Sequence, residues 1–336
     1  MSRISVCVPL FNGADYIEAL LESLQAQTFT DFTVWIGNDV STDHSVALVQ
    51  PYLSDPRFRW IDYETNGGFF KNIVRLIRES GDTDYFLLPG QDDFYAPEFL
   101  ETHLTFLDAK PLLGLVHSRS IFVDENSRDL GLDYWYWARL QAEMSGQNLL
   151  EAIFTHDFLV LPATLIRRTA FNEVRAEFLA TAYTYTPDWN LWMLLAARGW
   201  GFGYLDHPDC FYRIHSRQLT QTMSSEQKTY ELSSVVANVA ALLGDGKYGD
   251  FLARERISMI RYFANARLLR RGLAMCLKGG AESYGTRMLS QALRSCPSIL
   301  PRLPYSTWRY LLAKRRQHPL CAGLIELLHP VGAAHL

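Results

Sequence analysis

Two adjacent aspartates, Asp92 and Asp93, follow a short apolar run in the segment LPGQDDFYAP, residues 88–97. Hard divalent cations such as Mg²⁺ and Mn²⁺ prefer carboxylate oxygens and often hold phosphates with only one or two protein carboxylates. The pair fits equally well at the start of a helix before Pro97, where acids interact favourably with the helix dipole. A glycosidase pair is disfavoured, because its two carboxylates must flank the scissile bond at about 5–9 Å. The pair alone leaves the first two interpretations open.

The elements before this pair alternate between apolar runs and helical spacing. Strands are predicted at Ile4–Val8, Phe32–Ile36, Phe58–Ile61 and Tyr85–Leu88, with helices between them. Such alternation predicts right-handed βαβ units and a mostly parallel sheet, in which ligands bind at the carboxyl ends of the strands. Three loops follow such strand ends, so we expect them on one edge of the sheet: Pro9–Gly13, Asn38–Asp43 and Gly90–Asp93.

The pattern changes after residue 112. Further strands are predicted at Gly114–His117, Ser120–Val123, Leu159–Ile166, Phe202–Leu205 and Cys210–Ile214, and a helix at Asp188–Arg198. After about residue 225 the spacing is helical, so we expect a domain over 1–225 and a helical region over 226–336. Helix–strand alternation followed by this tail predicts an α/β domain with a helical C-terminal extension.

Composition excludes several classes of protein. No window approaches about 18 uninterrupted apolar residues, so no transmembrane helix is expected. The N-terminus, MSRISVCVPL, lacks a long apolar signal core, which predicts a cytoplasmic protein. The five cysteines have no CxxC spacing, which argues against a disulfide framework and a structural zinc site.

Five motifs carry a resemblance to a known family. The segment ISVCVPLFNGADYIEALLESLQAQTFTDFTVWIGNDVSTDHS resembles the opening of the family 2 glycosyltransferases with the GT-A fold. The match continues through NGGFFKN, GQDDF, TPDWNLWMLLAARG and YRIHSRQLT, over about residues 3–220. The resemblance implies an open, mostly parallel sheet flanked by helices, with a Rossmann-like nucleotide-sugar half over 1–112 and an acceptor and catalytic half over 113–225.

The resemblance also implies an activity. Such an enzyme transfers a sugar with inversion from a nucleotide-diphosphate sugar, here a UDP- or dTDP-sugar, and uses a divalent metal, Mn²⁺ or Mg²⁺. The acceptor would be a hydroxyl of a glycan or a lipid-linked glycan, as in cell-surface polysaccharide synthesis. No nucleic-acid partner is expected.

Donor-binding roles follow residue by residue from the resemblance. Pro9, Phe11 and Asn12 would line the nucleotide pocket, with Phe11 packing on the base, since every base offers a face for stacking. Asp39 would accept a hydrogen bond from the pyrimidine N–H. Lys71 would lie near the base and the phosphates, as a point charge rather than the fork of an arginine.

Catalytic and metal-binding roles follow in the same way. Asp92 would lie near the ribose and the donor sugar, and Asp93 would hold the metal on the diphosphate. His215 matches a position that reaches the metal or the diphosphate in some relatives. Asp188 would be the catalytic base, because direct displacement needs a carboxylate that removes the acceptor hydroxyl proton. Without the resemblance, the position of Asp188 before an apolar helix favours a plain N-cap. Arg213 and Arg217 are possible phosphate partners.

Two segments are candidates for contacts with the acceptor or a membrane. Aromatic residues of DYWYWAR, residues 133–139, could stack on sugars, and Trp135 and Trp137 are the candidates. The segment 254–316 carries fourteen Lys and Arg against two acids, near +12 in a chain of net charge −4. Such a segment could dock on anionic lipid at the inner face of the cytoplasmic membrane. A packed loop and a set of solvated helical faces are the alternatives.

The second loop departs from the family pattern. It reads NDVSTD where relatives often have DDGSTD, so Asn38 removes one charge and Val40 replaces a glycine that adopts positive φ easily. We expect an altered loop geometry with activity retained, because Asp39 remains.

Two other classes of function compete with sugar transfer. A nucleotidyltransferase that makes a nucleotide sugar would need a basic, glycine-rich phosphate loop after the first strand, and VPLFNGADY contains no Lys or Arg. A non-catalytic nucleotide-binding protein would not need all of the acids, whereas Asp39, Asp93 and Asp188 are intact.

Overall fold

A computed structural model describes residues 2–133, 143–155, 159–181, 183–184, 186–218 and 225–243. The predicted acceptor residues Trp135 and Trp137 and the basic segment 254–316 lie outside these residues. The chain divides by its contacts into two units, Met1–Glu231 and Leu232–Leu336. The first unit contains the sheet, and the second is described only over 232–243. The predicted boundary near residue 225 and the assignment of 226–336 as a separate region stay predictions.

One ten-stranded sheet organises the described part of the first unit. Its strands are β1 (Ile4–Leu10), β2 (Phe32–Asn38), β3 (Phe58–Asp62), β4 (Tyr85–Leu87), β5 (Phe94–Tyr95), β6 (Leu113–Val123), β7 (Asp129–Asp133), β8 (Glu143–Met144), β9 (Thr164–Arg167) and β10 (Gly201–Arg213). Along the sheet the order is β3-β2-β1-β4-β9-β6-β10-β5, with β7 beside β6 and β8 beside β10.

The half of the sheet that comes first in the chain is parallel. Strand β1 pairs in parallel with β2 and β4, and β2 pairs in parallel with β3. Every residue of β1 is buried, which is why its sequence is apolar except for Ser5 rather than alternating. The predicted open α/β sheet and its four first strands are confirmed.

The second half is mixed. Strand β9 lies antiparallel between β4 and β6, whereas β6 and β10 pair in parallel over most of their length. Two pairs of short strands predicted here are single long strands, β6 and β10. The register of β10 shifts on either side of Pro208, because a proline has no N–H for the ladder and is accommodated at a bulge.

The described helices are α1 (Ile17–Gln25), α2 (Ser45–Val49), α3 (Gly68–Glu79), α4 (Phe99–Asp108), α5 (Gly146–Thr155), α6 (Arg168–Leu179), α7 (Pro187–Ala197) and α8 (Ser225–Leu243). Buried residues of α1, α2 and α4 join those of the sheet in one apolar core. In α1 the buried residues follow the spacing that predicted the helix. The helix α4 was missed, although its buried residues have helical spacing too. No helix among the described residues is long and apolar enough to cross a membrane.

Candidate active site

Three loops meet at the carboxyl edge of the parallel strands. The main-chain N–H of Asn12 donates to Ser41 Oγ at 3.1 Å, and Asn12 Oδ1 accepts the Thr42 N–H at 2.8 Å. The side chain of Gln91 accepts the Phe11 N–H at 2.9 Å and donates to the Phe11 carbonyl at 3.1 Å. These bonds hold the loops after β1, β2 and β4 as one rim and leave the Phe11 side chain exposed, at 45%.

The register of the strands explains why the loops meet. Leu10 pairs with Asn38, and the Asp39 N–H donates to the Leu10 carbonyl at 2.8 Å, so β1 and β2 end level. Pro9 is buried opposite Gly37 within the sheet, one residue before the strand ends. Pro9 therefore supports the rim from inside the sheet.

The carboxylate of Asp39 anchors the start of α3. Its oxygens accept the Gly67 N–H at 2.9 and 3.0 Å and the Gly68 N–H at 2.8 Å, and Arg75 lies 3.4 Å away. The side chain is only 2% exposed. Free N–H groups at a helix N-terminus are favourable partners for an acid. Most acceptor positions of this carboxylate are therefore used within the chain, and its predicted contact with a pyrimidine stays a prediction.

Two cations of α3 lie one turn apart. Lys71 is exposed, and its stem lies against Gly67, where an added Cβ would come within 2.8 Å of Lys71 Cδ. The Arg75 guanidinium lies 4.5 Å from the centroid of the Tyr63 ring and donates to the Thr65 carbonyl at 3.2 Å. Sequence reasoning missed Arg75, although its spacing of four residues from Lys71 would have indicated a shared helix face.

The two adjacent aspartates lie in different environments. Asp92 Oδ2 is 3.0 Å from His215 Nε2, and the Asp92 side chain is 22% exposed. Asp93 is buried, and its Oδ1 accepts the Arg213 N–H at 2.9 Å. Burial, with the neighbouring Asp92 carboxylate, raises the pKa of Asp93 well above its ordinary value. An added Cβ at Gly90 would come within 2.5 Å of Asp93 Oδ2, so a larger residue at this position would force the buried Asp93 carboxylate to move.

This arrangement differs from the predicted roles of the two aspartates and His215. The sequence interpretation gave the metal to Asp93 and His215 and the ribose side to Asp92, whereas the structure pairs His215 with Asp92. Asp93 is the more deeply buried of the two, and its Oδ1 accepts the Arg213 N–H, whereas the Asp92 side chain is partly exposed. Metal binding by Asp93 stays a prediction.

Asp92 Oδ2 and His215 Nε2 lie at a hydrogen-bond distance, 3.0 Å, and both are atom types that bind divalent cations. A cation held by both atoms would replace this hydrogen bond. The other ring nitrogen of His215, Nδ1, is buried without a hydrogen-bond partner. The described residues contain no cluster of three or more His, Cys, Asp or Glu suited to a metal. Diphosphate oxygens and water would therefore complete the coordination.

Arg213 joins β10 to the acidic turn. Its buried guanidinium donates from Nε to the Asp92 carbonyl at 2.8 Å and from Nη1 to the Asp124 carbonyl at 2.9 Å. The same group lies 4.6 Å from the Tyr16 ring centroid and 5.5 Å from that of Phe94. Arg213 thus positions the acidic turn, and these contacts hold it away from the phosphate role considered from the sequence.

Asp188 lies in the first turn of α7, and Thr186, not Asp188, is the N-cap residue. Asp188 Oδ1 accepts the Trp189 N–H at 2.8 Å. Burial raises the pKa of Asp188 to about 6. The carboxylate of Glu231 accepts the Thr184 and Thr186 N–H groups, each at 3.2 Å, and so holds the segment before α7. A carboxylate with this pKa is suited to accept a proton near neutral pH.

One tyrosine connects Asp188 with the acidic pair. The ring of Tyr212, on β10, lies edge-on to Phe122 at 5.5 Å. Burial raises the pKa of Tyr212, and the carboxylates of Asp93, Asp188 and Asp92 raise it further. All three carboxylates therefore lie within electrostatic reach of one phenol. Sequence reasoning did not single out Tyr212, because nothing in YRIH indicates which face of the strand it occupies.

Comparison with known proteins agrees with this architecture. The family model described as Glycosyl transferase family 2 matches residues 5–175. The chain is 27% identical over 290 residues to a Campylobacter jejuni GalNAc(5)-diNAcBac-PP-undecaprenol beta-1,3-glucosyltransferase, covering 82% of this chain and 87% of that protein. It is 30% identical over 249 residues to an Escherichia coli chondroitin synthase, covering 73% of this chain and 34% of that protein.

Solved structures share the fold. Residues 1–349 of Staphylococcus aureus TarS in complex with UDP-GlcNAc superpose with a TM-score of 0.60 at 19% identity, covering 94% of this chain and 87% of that one. The Pyrobaculum calidifontis mannosyltransferase PcManGT, in complex with GDP-Man and Mn²⁺, gives a TM-score of 0.53 at 17% identity, covering 88% and 86%. The family match spans half of the chain, and the fold likeness spans nearly all of it. The chain therefore belongs to glycosyl transferase family 2 and has the GT-A fold.

Proposed function

We propose that this chain is an inverting, metal-dependent glycosyltransferase that moves a hexosyl or deoxyhexosyl group from a nucleotide-diphosphate sugar to a hydroxyl of a glycan or lipid-linked glycan. The observation that carries the proposal is that the carboxylates of Asp92 and Asp188 both act electrostatically on Tyr212, while His215 pairs with Asp92. Transfer from a diphosphate requires a proton acceptor and metal-binding groups in one region of the site.

On the donor side, the exposed ring of Phe11 offers a face for the nucleobase. Asn12 keeps the loops after β1 and β2 together, and the exposed Lys71 provides a positive charge for phosphate. Asp92 and His215 would hold a divalent cation, which when bound neutralises charge on the departing nucleoside diphosphate. Asp93 and Arg213 fix the turn that carries Asp92.

On the acceptor side, Asp188 accepts the hydroxyl proton at a carboxylate oxygen. The acceptor oxygen forms its bond to the anomeric carbon as the bond to the diphosphate oxygen breaks on the opposite face, which inverts the configuration. With a pKa raised to about 6, Asp188 is mostly ionised at pH 7 and still basic enough to accept the proton.

The relatives support the choice of substrates. The TarS structure contains UDP-GlcNAc and the PcManGT structure contains GDP-Man with Mn²⁺, which supports a nucleotide-sugar donor and a divalent metal. We favour a UDP- or dTDP-sugar. The Campylobacter relative is named for an undecaprenol-linked substrate, which supports a lipid-linked acceptor. Docking of the basic 254–316 segment at the inner face of the cytoplasmic membrane stays a proposal.

Calorimetric titration with UDP, dTDP and GDP, each with Mn²⁺ and with EDTA, tests the donor and metal assignments. We expect micromolar binding of at least one nucleotide that weakens markedly in EDTA. The anomeric configuration of the product, read by NMR, tests inversion. No binding of any of these nucleotides would contradict the proposal, and a retained configuration would contradict the role of Asp188.

Nucleotidyl transfer remains the competing activity. The loop after β1, residues 11–15, contains no Lys or Arg to hold a triphosphate. Release of pyrophosphate from a nucleoside triphosphate and a sugar phosphate would favour that alternative over sugar transfer.

A further inference from the structure

Val40, in the loop after β2, has a left-handed backbone with φ of 66°. Among the described residues only Asn12 and Ser127 share positive φ without being glycine. Asparagine and serine tolerate this region better than a β-branched residue, for which it is a genuine outlier. The loop therefore keeps the backbone that a glycine would adopt, instead of being rebuilt around the valine.

Hydrogen bonds on both sides hold Val40 in this conformation. The Asp39 N–H donates to the Leu10 carbonyl at 2.8 Å, and the Ser41 N–H donates to Asn38 Oδ1 at 3.0 Å. Because both neighbours are fixed, Val40 cannot relax without breaking the rim. Strain that the surroundings impose in this way concentrates at binding sites.

The Val40 side chain is an exposed apolar group on the candidate donor rim. Its exposure is 38%, and that of Phe11 on the adjoining loop is 45%. The Asn12 N–H to Ser41 Oγ bond joins the two loops directly after these residues. A glycine at position 40 would relieve the strain and remove the exposed apolar surface. The valine is thus unfavourable for the free protein on two counts.

We propose that Val40 is a nucleobase-binding residue of the donor site, and that its isopropyl group and the Phe11 ring contact the nucleobase of a nucleoside diphosphate. This inference rests on the proposed function. It deepens that function, because it assigns base recognition to an apolar pair rather than to Asp39.

The state of Asp39 supports this assignment. Its carboxylate is buried and occupied by the Gly67 and Gly68 N–H groups, so it is poorly available to a base. The two exposed side chains, Val40 and Phe11, are apolar, and the flat face of a base can pack on such groups without hydrogen bonds. Contact with the base would bury the surface that Val40 exposes in the free protein.

The test compares Val40→Gly with the parent protein in two measurements. We expect Val40→Gly to raise the Tm, because it relieves strain, and to weaken UDP binding roughly fivefold, because apolar contact is lost. Affinity for Mn²⁺-pyrophosphate, which has no base, should stay unchanged. Val40→Ala keeps a Cβ in the left-handed region and should weaken UDP binding with a smaller gain in Tm.

Two control variants separate strain from recognition. Ser127→Gly relieves a left-handed residue with φ of 62°. Leu112→Ala removes an apolar side chain that is 82% exposed. Neither substitution should change UDP affinity. Unchanged UDP affinity in both Val40 variants would overturn the inference, while UDP binding by the parent protein would leave the proposed function standing. If the parent binds neither UDP, dTDP nor GDP, the proposed function fails and the inference falls with it.

Discussion

The imidazole of His215 and the carboxylate of Asp92 face each other, with 3.0 Å between Nε2 and Oδ2, although 123 positions separate them in the chain. The contact brings the end of β10 onto the loop after β4. The two neighbouring aspartates therefore have different partners, since Asp93 Oδ1 accepts the Arg213 N–H.

This relationship predicts which aspartate binds the metal. Asp92→Asn and His215→Ala should each weaken Mn²⁺-dependent binding of UDP by more than about tenfold, since even residues that only support a metal ligand typically contribute 10–100-fold. Titration calorimetry with and without Mn²⁺ measures this, with circular dichroism as the check on folding.

Asp93 provides the contrast. Asp93→Asn keeps the shape of a buried side chain that accepts a main-chain N–H, so we expect a folded protein whose Mn²⁺ dependence changes much less. If Asp93→Asn abolished Mn²⁺-dependent binding while Asp92→Asn left it intact, the original assignment to Asp93 would be right.

Asp188→Asn should lower turnover and raise stability together. Loss of a general base typically costs 10²–10⁴-fold in rate. In the folded protein the pKa of Asp188 is raised from 3.8 to about 6, so ionising this carboxyl costs free energy in the folded state only. The free energy of unfolding therefore falls as the pH rises from 3.8 to about 6. The neutral amide avoids that penalty above pH 6. Steady-state kinetics and urea unfolding at pH 7.5 measure both effects, and Glu79→Gln on the exposed end of α3 is the control.

The pH dependence of the parent enzyme follows from the same group. Because Asp188 must be ionised to accept a proton, kcat/KM should rise with pH through an apparent pKa near 6 and level off above it. The profile is measured at saturating Mn²⁺ with the acceptor varied. An acidic limb that persists unchanged in the residual activity of Asp188→Asn would assign the titration to another group.

Gly90→Ala should disturb the acidic turn. Its Cβ would lie 2.5 Å from Asp93 Oδ2, and overpacking of this kind typically costs about 1–3 kcal/mol. Urea denaturation measures the loss. Gly81→Ala is the matched comparison, because position 81 has positive φ but no atom within 4 Å of an added Cβ, so only the backbone cost applies.

Some strands and helices have a clear local sequence pattern and others do not. The strands β1 to β4 and the helices α1 and α3 were predicted, because a buried parallel strand or an amphipathic helix leaves a local pattern. For each of β6 and β10 the sequence predicts two short strands instead of one. Polar residues and Pro208 interrupt the apolar runs there, although the strand continues past them in the sheet. The short β5 and the helix α4 were missed directly after the acidic pair.

Local patterns in the sequence are enough to assign the family and the open α/β sheet, and to place Phe11, Asp39 and the acidic pair on loops at one edge of it. These depend on local periodicity and on motifs that can be read along the chain. Three contacts emerge only in the folded chain: Asp92 faces His215, Asp93 accepts the Arg213 N–H, and Asp39 anchors Gly67 and Gly68. Those choices depend on how a turn directs its side chains and on contacts between residues far apart in the chain, for which a local pattern has no signal.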